Sequence, residues 1–114
     1  MHIRLLFLMV TVASVLWSSP ASPITDIQYN NIQALGALNG IALQCKYYQE
    51  TQRMKKALVS ILPKRRQLGQ VFDDATNESF LAFIKQAASC PDEAEFEHRV
   101  DAAIHTLENS FSGK

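Results

Sequence analysis

The residues best suited to chemistry are few, and their spacing decides what they can do. His98, Asp101 and His105 fall at i, i+3 and i+7 of a helical register. Imidazole and carboxylate are metal ligands, and adjacent helical turns can chelate. The two histidines, however, stand about 10 Å apart along a helix axis, too far to share one ion without Asp101 and outside help. The same face carries Glu108 and lies opposite an apolar stripe, so it reads as a solvated face and no metal site is expected. Asp73-Asp74 and Asp92-Glu93 offer paired carboxylates, which do acid and base work only in a cleft that shifts their pKa values. Asp92 and Glu93 are accounted for by a helix start, and Asp73 and Asp74 point away from the face of Phe72. No Ser-His-Asp arrangement is set by a motif. The sequence therefore predicts no catalytic residues, no enzyme activity and no cofactor.

The two cysteines, Cys45 and Cys90, are a different case. They do not form the C-x-x-C pair usual for redox catalysis. An even count in a small exported chain predicts a structural disulfide. It closes a loop of about 45 residues, for which the chain-entropy argument gives roughly 4 kcal/mol.

The most distinctive surface feature is basic. Residues 46–66 hold seven basic groups and one acid, Glu50, whereas residues 73–108 hold nine acids and two basic groups, Lys85 and Arg99. Lys55, Lys56, Lys64, Arg65 and Arg66 form a candidate docking patch for an acidic partner or phospholipid head groups, with charge steering the encounter. Asn77-Glu78-Ser79 matches an N-glycosylation sequon, but Ser79 falls on the apolar side of its helix.

These groups need a compartment and a scaffold. Residues 5–17 are uncharged and largely apolar, follow Arg4, and lead to Ser19-Pro20-Ala21. The stretch is short for a bilayer, which needs about 20 apolar residues, and has the length of a signal-peptide core. Residues 1–21 are expected to be a cleaved signal peptide, with residues 22–114 as one helical domain that is periplasmic or secreted and has no stable membrane span. Removing Arg4 leaves ten Lys/Arg against eleven Asp/Glu, so the chain is near neutral and no nucleic-acid binding is expected.

Strand alternation is absent and helical spacing is plain. A first helix is expected from Thr25 or Asp26 to Tyr48, with Ile27, Leu35, Leu38, Ile41, Ala42 and Cys45 on one face. A second strip, Ile32, Gly36, Gly40, Leu43 and Tyr47, lies nearly opposite, so this helix should be buried in the middle or make an extra contact. Gly36 and Gly40 each cost helix propensity and point to close approach of another backbone, inside the bundle or in a homodimer. A second helix spans Gln49 to Leu62, ended by Pro63. A third segment runs from Lys64 to Ala88, as one helix or broken near Thr76-Asn77, and its run Phe80 to Ile84 should be deeply buried. The last helix opens with Pro91 in its first turn and shows Phe96, Val100, Ala103, Ile104, Leu107 and Phe111 as a stripe.

The expected fold is all-α, a small bundle of four or five short helices closed by one disulfide. The plan resembles that of the periplasmic acid-stress chaperones of bacteria. This likeness of architecture assigns no role to any residue. The expected function is that of an exported non-enzymatic interaction protein: a periplasmic accessory, adaptor, inhibitor or chaperone-like protein with a protein partner in the cell envelope. The alternative is a small carrier holding an apolar ligand among Tyr47, Phe72, Phe80 and Phe83.

Overall fold

The computed structural model describes residues 23–112, so the expected leader, residues 1–21, lies outside the described residues. Four helices follow in order: α1 (Asp26–Gln44), α2 (Tyr48–Ile61), α3 (Arg66–Lys85) and α4 (Glu93–Ser110). Among the described residues there is no strand, and the molecule is a small helical bundle with a disulfide between Cys45 and Cys90.

The two apolar strips of α1 are explained by its place. It packs against all three other helices, with α3 on it over the greatest length. Ile32, Leu35 and Ala42 are fully buried, joined in the core by Met54 of α2, Leu68 and Phe72 of α3, and Phe96, Val100 and Leu107 of α4. Ile27 departs from the expected face and is 68% exposed, because the first turn of α1 needs only its cap and its tie to α4. There Thr25 and Gln28 form a capping box, and the Gln28 Nε2 donates to the Ser110 carbonyl at 2.8 Å.

Gly36 and Gly40 face α3. A Cβ at Gly36 would lie 2.6 Å from the Phe72 carbonyl oxygen, and one at Gly40 2.6 Å from the Thr76 carbonyl oxygen and 2.7 Å from the Phe80 nitrogen. These are backbone atoms, so the two helices touch main chain to main chain. Both glycines are buried in this seam, which leaves neither for a contact between chains. The seam is also polar. Asn39 Nδ2 donates to Thr76 Oγ1 at 3.2 Å, Thr76 Oγ1 donates to the Phe72 carbonyl, and Ser79 Oγ donates to the Ala37 carbonyl at 2.6 Å. Thr76 thus sits inside one continuous α3, and the break considered near Thr76-Asn77 does not occur.

Helix α1 ends at Gln44, earlier than Tyr48, for a local reason. Lys46 takes a left-handed φ of 62°. The Tyr47 N–H then returns to the Ala42 carbonyl at 2.8 Å and the Lys46 N–H to the Leu43 carbonyl at 3.4 Å. This is a Schellman cap. The same device ends α3: Ala87 has φ 48°, and Ala88 and Ala87 donate to the Phe83 and Ile84 carbonyls. Neither position is glycine, so no residue type announced either stop. Pro91 lies one residue before the cap of α4, not in its first turn; Asp92 is the N-cap and accepts from the Glu95 N–H.

The run Phe80 to Ile84 is not deeply buried. Leu81 is 58% and Ile84 56% exposed, and Phe80, Ala82 and Phe83 are half-buried. The expectation assumed neighbours on all sides, whereas α3 packs almost entirely on α1.

Three glycine substitutions should separate seam from surface. Gly36→Ala and Gly40→Ala should each destabilise by about 1–3 kcal/mol, as overpacking does. Gly69→Ala, where a Cβ meets nothing within 4 Å, should stabilise by about 0.5–1 kcal/mol through helix propensity. Urea midpoints measure all three; equal shifts would contradict the seam. Replacing Cys45 and Cys90 together by Ala should cost roughly 4 kcal/mol on the chain-entropy argument, read from the same unfolding curves against the oxidised chain.

Candidate docking surface

The bridge fixes where the helices meet. Cys45 caps α1 and Cys90 precedes the α4 cap by two residues, with Cα atoms 5.6 Å apart, inside the usual disulfide range. Beside it the Tyr47 hydroxyl donates to the Pro91 carbonyl at 2.6 Å, and the Tyr47 ring meets the Phe96 ring with centroids 5.6 Å apart. The α1–α2 turn is thereby pinned to the start of α4 by a covalent bond, a hydrogen bond and an aromatic contact.

One ionic cluster joins α2 to α4. Arg53 reaches Asp101, Glu97 at 3.7 Å and its own helix's Glu50 at 3.5 Å. Glu50 is 6% exposed. Its burial pushes the carboxyl pKa up; Arg53 pulls it back, and Glu97, Asp101 and Glu93 push it up further. Sequence reasoning missed this cluster. The signals were the i,i+3 spacing of Glu50 and Arg53 and the i,i+4 spacing of Glu97 and Asp101, but neither fixes which helices face each other.

The residues considered for metal or acid–base chemistry are not brought together. His98 and His105 are exposed, and Asp101 is engaged by Arg53. Asp73 and Asp74 are exposed on α3. Among the described residues no group of three His, Cys, Asp or Glu could hold a metal ion. Asn77 of the sequon is exposed, while the Ser79 hydroxyl is spent on Ala37. Of the four aromatic residues considered for an apolar carrier, Phe80 is half-buried on α3. Phe72 is in the core, Tyr47 lies against Phe96, and Phe83 lines an open depression beside Ile41, Pro91 and Arg99.

Three of the basic residues, Lys64, Arg65 and Arg66, stand at the corner where α2 passes into α3, and Lys55 and Lys56 lie further back along α2. Lys55 and Lys56 are exposed on α2, Lys64 and Arg66 are exposed at the turn, and Arg65 is half-buried between them. Between the two helices runs a shallow trough of about 350 Å³ lined by Leu58, Val59, Leu62 and Pro63, with Lys64, Arg65, Arg66 and Gly69 completing it. From residue 51 to residue 72 the chain has no acid. The ion pairs of α2 belong to Arg53, on the side facing α4. The corner is thus an apolar recess edged by cations.

Comparison with known proteins finds no match among family models, curated proteins or solved structures.

The cluster around Glu50 makes a pH prediction. Its folded pKa lies above the ordinary value of 4.5, so the folded chain holds this proton to higher pH than the unfolded chain. The stabilisation from holding it is fully present below the unfolded pKa and is lost as pH rises through the folded one. Glu50→Gln mimics the protonated form. Its stability relative to wild type should therefore rise between about pH 4 and pH 7. Urea midpoints at the two pH values measure this, and a difference that stays constant or falls would contradict it.

Proposed function

We propose that the protein is an exported, non-enzymatic interaction protein that docks a protein partner of the cell envelope through the α2–α3 corner. The observation that carries this reading is the coincidence, at one corner, of an apolar trough with Lys64 and Arg66 on its edge and Lys55 and Lys56 one turn along α2. Charge of one sign steers encounter and fixes orientation. A recess of apolar side chains supplies the buried centre that holds a complex once formed. Export is supported by the disulfide, which persists in oxidising compartments, and by the apolar leader of residues 5–17. No helix among the described residues is long and apolar enough to cross a membrane. A non-enzymatic role is supported by the placement of His98 and His105 on α4 and of Asp73 and Asp74 on α3, all exposed, and by the engagement of Asp101 with Arg53.

The patch is testable by charge reversal. The double variant Lys64→Glu/Arg66→Glu alters exposed side chains only, so its unfolding curve should match wild type within about 0.5 kcal/mol. Immobilised wild-type protein should retain a partner from cell-envelope extract at low salt, and the variant should not. Equal retention by both proteins would remove the corner from the function.

A further inference from the structure

We infer that the segment docked at the α2–α3 corner is a short acidic peptide stretch of the partner that carries a bulky aliphatic or aromatic side chain among its carboxylates. This rests on the docking reading above and names the chemistry of what docks. The trough of about 350 Å³ is at the lower end of ligand-binding cavities and suits one or two side chains. Its half-buried floor is Leu58 and Leu62, and Val59, 80% exposed, forms its lip. An anchor side chain entering here covers apolar surface that the fold leaves wet. Lys64 and Arg66 stand at the edge of the recess. Carboxylates flanking the anchor would meet these two cations. Lys55 and Lys56 precede Val59 by four and three residues, so they lie on its face of α2. They extend the complementary field along a peptide running with the helix. A recessed apolar floor between two helices favours an inserted side chain over a flat bilayer, which reaches protruding groups.

Gly69 supplies a test that leaves every charge in place. It lines the trough, and a Cβ added there meets nothing within 4 Å. Gly69→Leu should therefore fold normally and fill the recess. Val59→Asp, at the exposed lip, is the second variant and does not depend on how Gly69→Leu folds. The probes are fluorescein-labelled synthetic peptides with a central leucine flanked by glutamates, its central-serine counterpart and its lysine-flanked counterpart. Fluorescence polarisation with the full chain reads the affinities. The leucine–glutamate peptide should bind best, by about tenfold or more over the serine peptide, the worth of burying one leucine. It should weaken about tenfold when salt is raised from a few tens of millimolar to half-molar. Gly69→Leu and Val59→Asp should each weaken it about tenfold or more, and Lys64→Glu/Arg66→Glu should abolish binding.

Equal binding of the leucine and serine peptides would overturn the inference, as would full affinity in Gly69→Leu. Displacement of the peptide by phosphatidylglycerol vesicles would assign the corner to a membrane. A dimer in sedimentation that the charge reversal dissolves would assign it to a second copy. Failure of the peptides while the partner is still captured through Lys64 and Arg66 would sink this inference alone. Capture that ignores those residues would sink the docking reading with it.

Discussion

The main-chain contact of α1 with α3 is the constraint on which the rest of the structure depends. Gly36 and Gly40 let the two backbones come within a distance that any Cβ would forbid. The residues opposite, Ala75, Thr76 and Ser79, are small, and two of them return hydrogen bonds across or along the seam. Asn39 Nδ2 donates to Thr76 Oγ1 in this buried seam, and that hydrogen bond can form in one register only. Sliding α3 by a turn along α1 would set Cβ atoms against backbone and leave Asn39 and Thr76 without each other. The seam therefore sets the position of α3 more firmly than its apolar residues do. This is consistent with the exposure of Leu81 and Ile84, which the packing leaves uncovered.

The seam also makes the corner. Helix α2 packs on α1 and is also fastened to α4, by the turn pinned through Cys45 and Tyr47 and by Arg53. Helix α3 is drawn onto α1. The two share almost no packing with each other although they are joined by a short turn. Both helices pack on α1, but α2 is also drawn to α4 while α3 is not, and the trough lies between them. Its floor, Leu58 and Leu62, packs against the core, but the rest of its lining is separable from it. Val59, Lys64, Arg66 and Gly69 are exposed, so their substitution tests binding without placing the fold at risk.

What could be read from the sequence follows the range of the physics involved. The disulfide was legible because two cysteines in a small chain read as exported have one pairing. The helices were legible because amphipathic spacing is local, and the central place of α1 followed from its two apolar strips. The close approach at Gly36 and Gly40 was legible in kind, since glycine four apart inside a helix has few other uses, but the identity of α3 as the partner was not. The misplaced helix ends were set by left-handed residues, Lys46 and Ala87, whose types carry no such signal. Burial of Phe80 to Ile84 was misjudged because composition states how apolar a run is, not how many neighbours reach it. The basic residues were legible as a charge run; that they edge a recess was not, because the recess depends on how α2 and α3 are placed.

Charge is divided by the same architecture. Arg53 is the one cation of α2 that α4 consumes, and it sits on Glu50, Glu97 and Asp101 together. With a buried carboxylate on one side and two exposed ones on the other, it compensates part of the repulsion within the acidic cluster. Had Lys55 or Lys56 faced α4, the acids of α4 would have cancelled the field of the corner. Helical geometry turns Lys55 about 160° from Arg53, whereas Lys56, about 60° from it, stands exposed on the flank of that face. One helix therefore presents a neutralised face to the bundle and a cationic face to solvent. The near-zero net charge of the whole chain conceals that separation. A neutral molecule polarised in this way attracts an acidic segment at short range without a strong long-range pull on polyanions at large.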